Sequence, residues 1–149
     1  MLGAAYPAGV VLAQDPAPSP EKMVRFDVGE NVYVRSLAFD RRRGSLWVGT
    51  SVGVLEIDVA QQNVKQIFTR DQGLANEYVF AIGIAPDGAV WFGTNAGGAS
   101  RYRDGKWKTF FPLHGLADYW VYAFAFPDDE TVWIGTWDGA SHYDPDGDK

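Results

Sequence analysis

A Trp-x-Gly-Thr motif occurs three times, and its spacing restricts the fold more than any other feature of the sequence. The motif is LWVGT at residues 46–50, VWFGT at 90–94 and VWIGT at 132–136. Trp47, Trp91 and Trp133 are therefore 44 and 42 residues apart in a chain of 149 residues. A repeat of this period that contains only strand signals is typical of the blades of a β-propeller.

The similarity between the three units extends well beyond the motif. Each unit begins with a nearly all-apolar run, VRSLAF, VFAIGI or VYAFAF, which predicts an innermost strand buried on both faces. A turn leads to the Trp-x-Gly-Thr strand, a short loop leads to a third strand, and a fourth strand of mixed polarity fits an outer edge. We therefore predict an all-β fold made of β-propeller blades of four antiparallel strands. The three repeats lie at about 34–78, 79–120 and 121–149.

The residues of the motif have a packing role in such a fold. Tryptophan offers a large flat surface to the neighbouring sheet, glycine lets that neighbour come close, and threonine suits a pleated surface. Gly73 and Gly115 follow the fourth strands of the first two units. We expect both to adopt positive φ in the crossover to the next blade.

One long segment, GLANEYVFAIGIAPDGAVWFGTNAGG at residues 73–98, resembles the two-component regulator propeller repeat. The resemblance implies an extracytoplasmic sensor part of a hybrid histidine kinase, in which the propeller takes part in sensing. In several members of that family the sensed ligands are oligosaccharides. It therefore implies a periplasmic or secreted location and a two-component signalling context.

Three blades cannot close a ring, since propellers usually have about four to eight. The segment MVRFDV at residues 23–28 predicts an outer strand that precedes the first full unit, and the last unit stops after its third strand. Two explanations are open. The chain is a piece of a longer sensor, or two copies join head to tail in a six-bladed ring. Its partners would be further propeller blades or a second copy of the chain.

The first twenty residues differ from the rest. An uncharged run up to Ala13 and a Pro-rich stretch from Asp15 predict a signal-peptide remnant and a linker at residues 1–20, with a disordered tail as the alternative. No membrane span is predicted at this length. The net charge of -6 disfavours nucleic acid as a partner, and the absence of cysteine excludes disulfides and cysteine-based zinc sites.

Two sets of loops share one face beside the central opening of a propeller: those that join strands two and three, and those that cross to the next blade. Aromatic rings beside hydrogen-bonding side chains suit an oligosaccharide or another small polar ligand. Trp137 is the strongest candidate, because the other units have Val52 or Asn95 and Ala96 at that turn. Tyr78 and Trp120 could instead fill the seam between blades. The candidate ligand-binding residues are Asn76, Glu77, Tyr78, Asn95, Asp118, Tyr119, Trp120, Trp137 and Asp138, with Ser51 in the first short loop.

Signals for catalysis are weak. His114 and His142 are the two histidines, and neither forms a recognisable motif with a carboxylate, so both are expected to be structural. The acidic stretch DPDGD at residues 144–148 has its glycine one position early for a calcium loop and is interpreted as a turn. We predict no catalytic residue, cofactor or metal. The sequence favours a non-catalytic recognition module, with a propeller-fold lyase or hydrolase, or a self-assembling structural module, as alternatives.

Overall fold

A computed structural model describes Met23 and residues 25–145 of the chain. The leader and linker predicted at residues 1–20 lie outside the described residues, as do the last four residues of the chain. The described residues form three antiparallel sheets whose strands follow one another in chain order. This arrangement confirms the all-β prediction.

Each sheet corresponds to one repeat, and the sheets are called blades 1, 2 and 3 below. Blade 1 contains β1 (Val34–Asp40), β2 (Ser45–Thr50), β3 (Val54–Asp58) and β4 (Asn63–Phe68). Blade 2 contains β5 (Val79–Ile84), β6 (Val90–Thr94), β7 (Ala99–Arg103) and β8 (Lys106–Phe110). Blade 3 contains β9 (Val121–Ala125), β10 (Val132–Thr136) and β11 (Gly139–Tyr143). Short 3-10 turns at Arg70–Gln72 and Pro112–His114 start the two crossovers between blades.

No strand forms over the described part of the predicted outer strand at residues 23–28. Val28 packs instead against a cluster of Val48, Leu55 and Ile57 on the face of blade 1. A fourth strand needs the free edge of a third strand. Among the described blades, the third strand with a free edge is β11 of blade 3. Val28, in contrast, packs on blade 1.

The prediction that the first strands are buried on both faces is wrong for the two outer blades. In β1, Leu37 is 61% exposed and Phe39 is 48% exposed. In β9, Tyr122, Ala123 and Ala125 are exposed. One face of each of these blades lacks a neighbouring sheet among the described residues, whereas β5 lies between β1 and β9.

The motif tryptophans form the centre of each contact between blades. Trp47 is fully buried, stacks on Phe68 of its own blade at 5.6 Å between ring centroids, and lies 5.7 Å from Phe92 of blade 2. Trp91 repeats the arrangement one blade later, with Phe110 at 5.2 Å. The packing role predicted for the motif tryptophan is therefore confirmed.

The motif glycine and threonine also have specific roles. A Cβ atom at Gly93 would lie 2.7 Å from the carbonyl oxygen of Val121, so only glycine lets β9 approach this closely. The buried Thr94 hydroxyl donates a hydrogen bond of 2.8 Å to the carbonyl of Gly98, and Thr50 and Thr136 make the same bond in their own blades. Threonine thus closes the loop between strands two and three by a side-chain hydrogen bond. The sequence analysis had predicted only that threonine suits the pleated surface of a strand.

Both crossover glycines adopt the predicted conformation. Gly73 has φ 117° and Gly115 has φ 91°, and each ends a 3-10 turn by donating its backbone N–H to the first residue of that turn. The left-handed conformation turns the chain toward the first strand of the next blade.

A half-buried carboxylate in blade 2 is expected to make stability depend on pH. Burial opposes the ionisation of Asp87, but a hydrogen bond from the Ala89 N–H, together with the hydrogen bond and charge of Arg101 and the charge of Arg103, outweighs burial and lowers its pKa. Its Oδ2 lies 2.7 Å from Arg101 and 2.8 Å from Arg103.

Because the folded-state pKa of Asp87 is lowered, its contribution is present above the unfolded-state pKa of about 4 and is lost as the pH falls through the folded-state value. Asp87→Asn should therefore lower the free energy of unfolding by about 1–2 kcal/mol at neutral pH. Urea unfolding of both proteins across acidic pH should show the difference shrinking below about pH 4. A difference that stays constant with pH would rule out the ionised carboxylate as its source.

Candidate functional site

In every blade the loop after strand two is tied to the residue that precedes strand one. Ser51 N donates to the carbonyl of Tyr33 at 3.0 Å, Asn95 N to that of Tyr78 at 2.9 Å, and Trp137 N to that of Trp120 at 2.9 Å. The two sets of loops that were expected to lie together are thus in direct contact in each blade.

Four of the predicted site residues line one open depression between blades 2 and 3. It has a volume of about 390 Å³ and is lined by Ala96, Asp118, Tyr119, Trp120 and Trp137. The rings of Trp120 and Trp137 meet edge to face, with centroids 5.7 Å apart and an interplanar angle of 70°. Trp137 is 70% exposed, so most of its surface is available to a ligand.

Backbone contacts hold this depression in place. The Asp118 carboxylate accepts a hydrogen bond of 2.7 Å from the Trp120 N–H, and the Gly98 N–H donates to the carbonyl of Tyr119 at 2.8 Å. The crossover of blade 3 is therefore fixed to the short loop of blade 2. The exposed rings are presented on an ordered backbone, which reduces the entropy lost on binding.

The residues predicted in the first crossover lie elsewhere and serve other contacts. Asn76 accepts a hydrogen bond of 2.9 Å from the Tyr78 N–H, which repeats the turn made by Asp118. Glu77 forms an ion pair of 3.0 Å with Arg70. The Tyr78 hydroxyl accepts hydrogen bonds from Arg35, with the shorter at 2.6 Å.

The remaining predicted residues do not line the depression. Asn95 is half-buried and uses its backbone N–H for the loop contact, while Asp138 is exposed beside Trp137. Ser51 is in blade 1, where its hydroxyl accepts a hydrogen bond from Tyr33 N. Ala96 does line the depression, although the sequence did not single it out, because alanine carries no chemical signal. Its positive φ of 57° is the structural feature that sets it apart.

The two histidines lie on a second cavity, of about 560 Å³, near the outer side of blades 2 and 3. His114 Nδ1 accepts a hydrogen bond of 3.1 Å from the Phe111 N–H, and the ring of His142 lies 4.9 Å from that of Trp133. The cavity is lined by Lys108, Thr109, Phe110, His114, His142, Tyr143 and Asp144.

At the contact between blades 1 and 2, an aromatic residue of the outer strand packs beside the crossover glycine. Trp107 of β8 contacts Phe68 and lies so close to Gly73 that a Cβ on that glycine would be 2.6 Å from the indole. At the equivalent Gly115 a Cβ would meet nothing within 4 Å. The open space beside Gly115 is therefore the counterpart of the space that Trp107 fills beside Gly73.

Within Met23 and residues 25–145 no group of three or more His, Asp or Glu side chains is arranged to hold a metal ion. No helix among these residues is long and apolar enough to cross a bilayer.

Residues 73–96 match the model of the two component regulator propeller family. The match covers the crossover, the first two strands and the short loop of blade 2, and it confirms the resemblance noted in the sequence. None of the curated proteins compared with the chain matches it significantly.

Solved structures with the same fold include extracellular domains of two component systems. The chain has a TM-score of 0.70 and 23% identity to the extracellular domain of the hybrid two component system BT3049 from B. thetaiotaomicron, over 86% of this chain and 18% of that one. For the extracellular domain of BT4673 from the same organism the TM-score is 0.64 and the identity 19%, over 81% and 16% of the two chains. Virginiamycin B lyase from Staphylococcus aureus has a TM-score of 0.54 and 15% identity, over 74% and 41%.

The fold is thus that of propeller-type domains. The chain spans less than a fifth of the length of these two extracellular domains.

Proposed function

We propose that this chain is a non-catalytic recognition module that binds an oligosaccharide or a similar small polar ligand in the depression at Trp120 and Trp137. The observation that carries the proposal is the exposed pair of indoles set at 70° beside the carboxylate of Asp118. Indole faces stack on the apolar faces of sugar rings, and a nearby carboxylate accepts hydrogen bonds from sugar hydroxyls.

We further propose that the module works outside the cytoplasm as the sensory part of a two-component system. The family match at residues 73–96 and the likeness to extracellular domains of such systems support this role. A kinase or another partner would then provide the output.

The main alternative is an enzyme, a propeller-fold lyase or hydrolase, and it is supported by the structural similarity to virginiamycin B lyase. Two features favour recognition over catalysis. The nitrogen Nδ1 of His114 accepts a hydrogen bond from the Phe111 N–H in its own turn, and the ring of His142 lies against Trp133, so both imidazoles already take part in local contacts. Turnover that disappears in His114→Ala or His142→Ala would favour the enzyme.

Trp137→Ala should abolish or strongly weaken ligand binding. We expect a loss of at least tenfold in affinity, because truncation of a tryptophan at the centre of a binding site typically costs about 2 kcal/mol or more. The measurement is calorimetric titration with a panel of short neutral and acidic oligosaccharides. Trp133→Ala is the matched control, because this indole is 49% exposed and lies outside the depression. Equal losses in the two variants, or a panel without a single binder, would contradict the proposal.

We also propose that a further blade of the same type, from the same protein or from a second copy, covers the open face of blade 3. Trp133 is 49% exposed there, whereas Trp47 and Trp91 are at most 1% exposed in the contacts between blades. Light scattering over a concentration series separates the two sources. A uniform dimer supports a second copy and a self-assembling module, while a monomer assigns the covering blade to a longer chain.

A further inference from the structure

The first strand of every blade contains an irregularity at its second residue. In blade 1, Val34 pairs with Thr50 and Ser36 with Gly49, so Arg35 is an extra residue in the ladder. In blade 2, Val79 pairs with Thr94 and Ala81 with Gly93, so Phe80 is extra. In blade 3, Val121 pairs with Thr136 and Ala123 with Gly135, so Tyr122 is extra. A β-bulge of this kind turns a side chain out of its normal alternation, and bulges are over-represented at sheet edges and next to active sites.

The three extra residues form one continuous cluster along the inner edge of the blades. The rings of Phe80 and Tyr122 stack with centroids 5.1 Å apart and an interplanar angle of 16°. Phe80 also meets Tyr78 at 5.3 Å, and the Arg35 guanidinium lies 5.3 Å from the centroid of the Tyr78 ring. We call Arg35, Tyr78, Phe80 and Tyr122 the inner cluster.

Arg35 is the charged member of the inner cluster, and its charge is not neutralised within the described part of the chain. Its Nε and Nη2 both donate to the Tyr78 hydroxyl, at 3.2 and 2.6 Å, which fixes the guanidinium beside the rings. Five of the seven other arginines in these residues have a carboxylate within 4 Å, whereas Arg41 and Arg42, in the turn after β1, share with Arg35 the lack of an ion pair. The five are Arg25, Arg43, Arg70, Arg101 and Arg103. In a protein of net charge -6, an exposed arginine held by a neutral hydroxyl is well suited to an external anion.

From this geometry we propose that the inner cluster is a second binding subsite, which takes the carboxylate of an acidic ligand on Arg35 and packs the ring of that ligand against the exposed part of the Phe80–Tyr122 stack. The proposal deepens the proposed function, since it assigns an acidic group to the ligand. The carboxylate forms charge-assisted hydrogen bonds with the guanidinium N–H groups that Tyr78 does not use, while the two stacked rings provide an apolar wall.

Two matched pairs of probes test the charge requirement and distinguish the kind of ring. Phenylacetate is compared with phenylacetamide, and glucuronate with glucose, by titration of the 149-residue chain. We expect the acid of at least one pair to bind at least tenfold more tightly than its neutral partner. The pair that shows the preference tells whether the subsite takes an aromatic acid or an acidic sugar.

Variants then assign the preference to Arg35. Arg35→Gln should remove the tenfold preference for the acid. Arg35→Lys should retain only part of it, because lysine lacks the planar guanidinium that donates two parallel hydrogen bonds to a carboxylate. Arg41→Gln is the control, because Arg41 is an exposed arginine in the turn after β1. Tyr122→Ala should weaken both members of the pair that binds.

No preference for either acid, or an equal loss in Arg35→Gln and Arg41→Gln, would overturn the proposal. Its failure is separable from failure of the proposed function, because neutral oligosaccharides that depend on Trp137 should bind Arg35→Gln as well as they bind the original chain.

Discussion

Trp91→Ala is expected to lower the free energy of unfolding by about 3–5 kcal/mol, since truncation of a buried tryptophan removes its apolar contacts and leaves a cavity. Trp91 is 1% exposed and lies within 6 Å, between ring centroids, of Phe110, Phe124 and Tyr143. These partners belong to blades 2 and 3, so the substitution weakens the contact between the two blades. Urea unfolding followed by tryptophan fluorescence measures the loss.

Trp133→Ala is the matched control, because Trp133 is the same motif residue in blade 3 but is half exposed. We expect a loss of about 1 kcal/mol or less when the protein is monomeric. If a second copy covers Trp133, the loss should grow with protein concentration. Equal losses for Trp91 and Trp133 in the monomer would contradict the role assigned to the contact between blades.

Gly93→Ala should lower the free energy of unfolding by about 1–3 kcal/mol through overpacking alone. The added Cβ would lie 2.7 Å from both the carbonyl oxygen and Cγ1 of Val121, so the first strand of blade 3 would have to move. Gly93 does not have a positive φ, so alanine can adopt its backbone conformation and the effect reports on contact rather than on torsional strain.

Gly135→Ala provides the comparison for this substitution. Gly135 is the same motif position in blade 3, also without a positive φ, and its nearest neighbour to an added Cβ is the Cβ of Ala123 at 3.4 Å. We expect thermal unfolding to show a neutral or slightly stabilising change, since alanine restricts the unfolded chain. Losses of similar size at Gly93 and Gly135 would show that glycine is needed for the strand itself and not for the approach of the next blade.

The sequence predicted the blades well because their signals are local and repeated. The spacing of Trp47, Trp91 and Trp133 and the apolar first strands needed no knowledge of distant contacts. Burial was harder to predict for β1 and β9, because it depends on whether a sheet lies on each side of the strand. The outer strand at residues 23–28 stays a prediction for the same reason: it would complete a blade that is not among the described ones, and a strand forms only where a partner edge is available.

The candidate site was predictable only in part. Trp120 and Trp137 were recognisable as aromatic residues in loops, and the structure brings them together. The sequence could not show that Tyr78 belongs to the contact between blades 1 and 2, where it binds Arg35. The β-bulges could not be predicted from the sequence either. Arg35, Phe80 and Tyr122 differ in chemistry and share only their position as the second residue of a first strand.

The central claim is that a ligand binds at the paired indoles of the depression, and the six indole N–H signals in a nitrogen-15 correlation spectrum test it most directly. Titration with the binding oligosaccharides should shift the signals of Trp120 and Trp137, both exposed, and leave those of the buried Trp47 and Trp91 unchanged. Shifts confined to other tryptophans, or no shift at Trp120 and Trp137 with any member of the panel, would contradict the account.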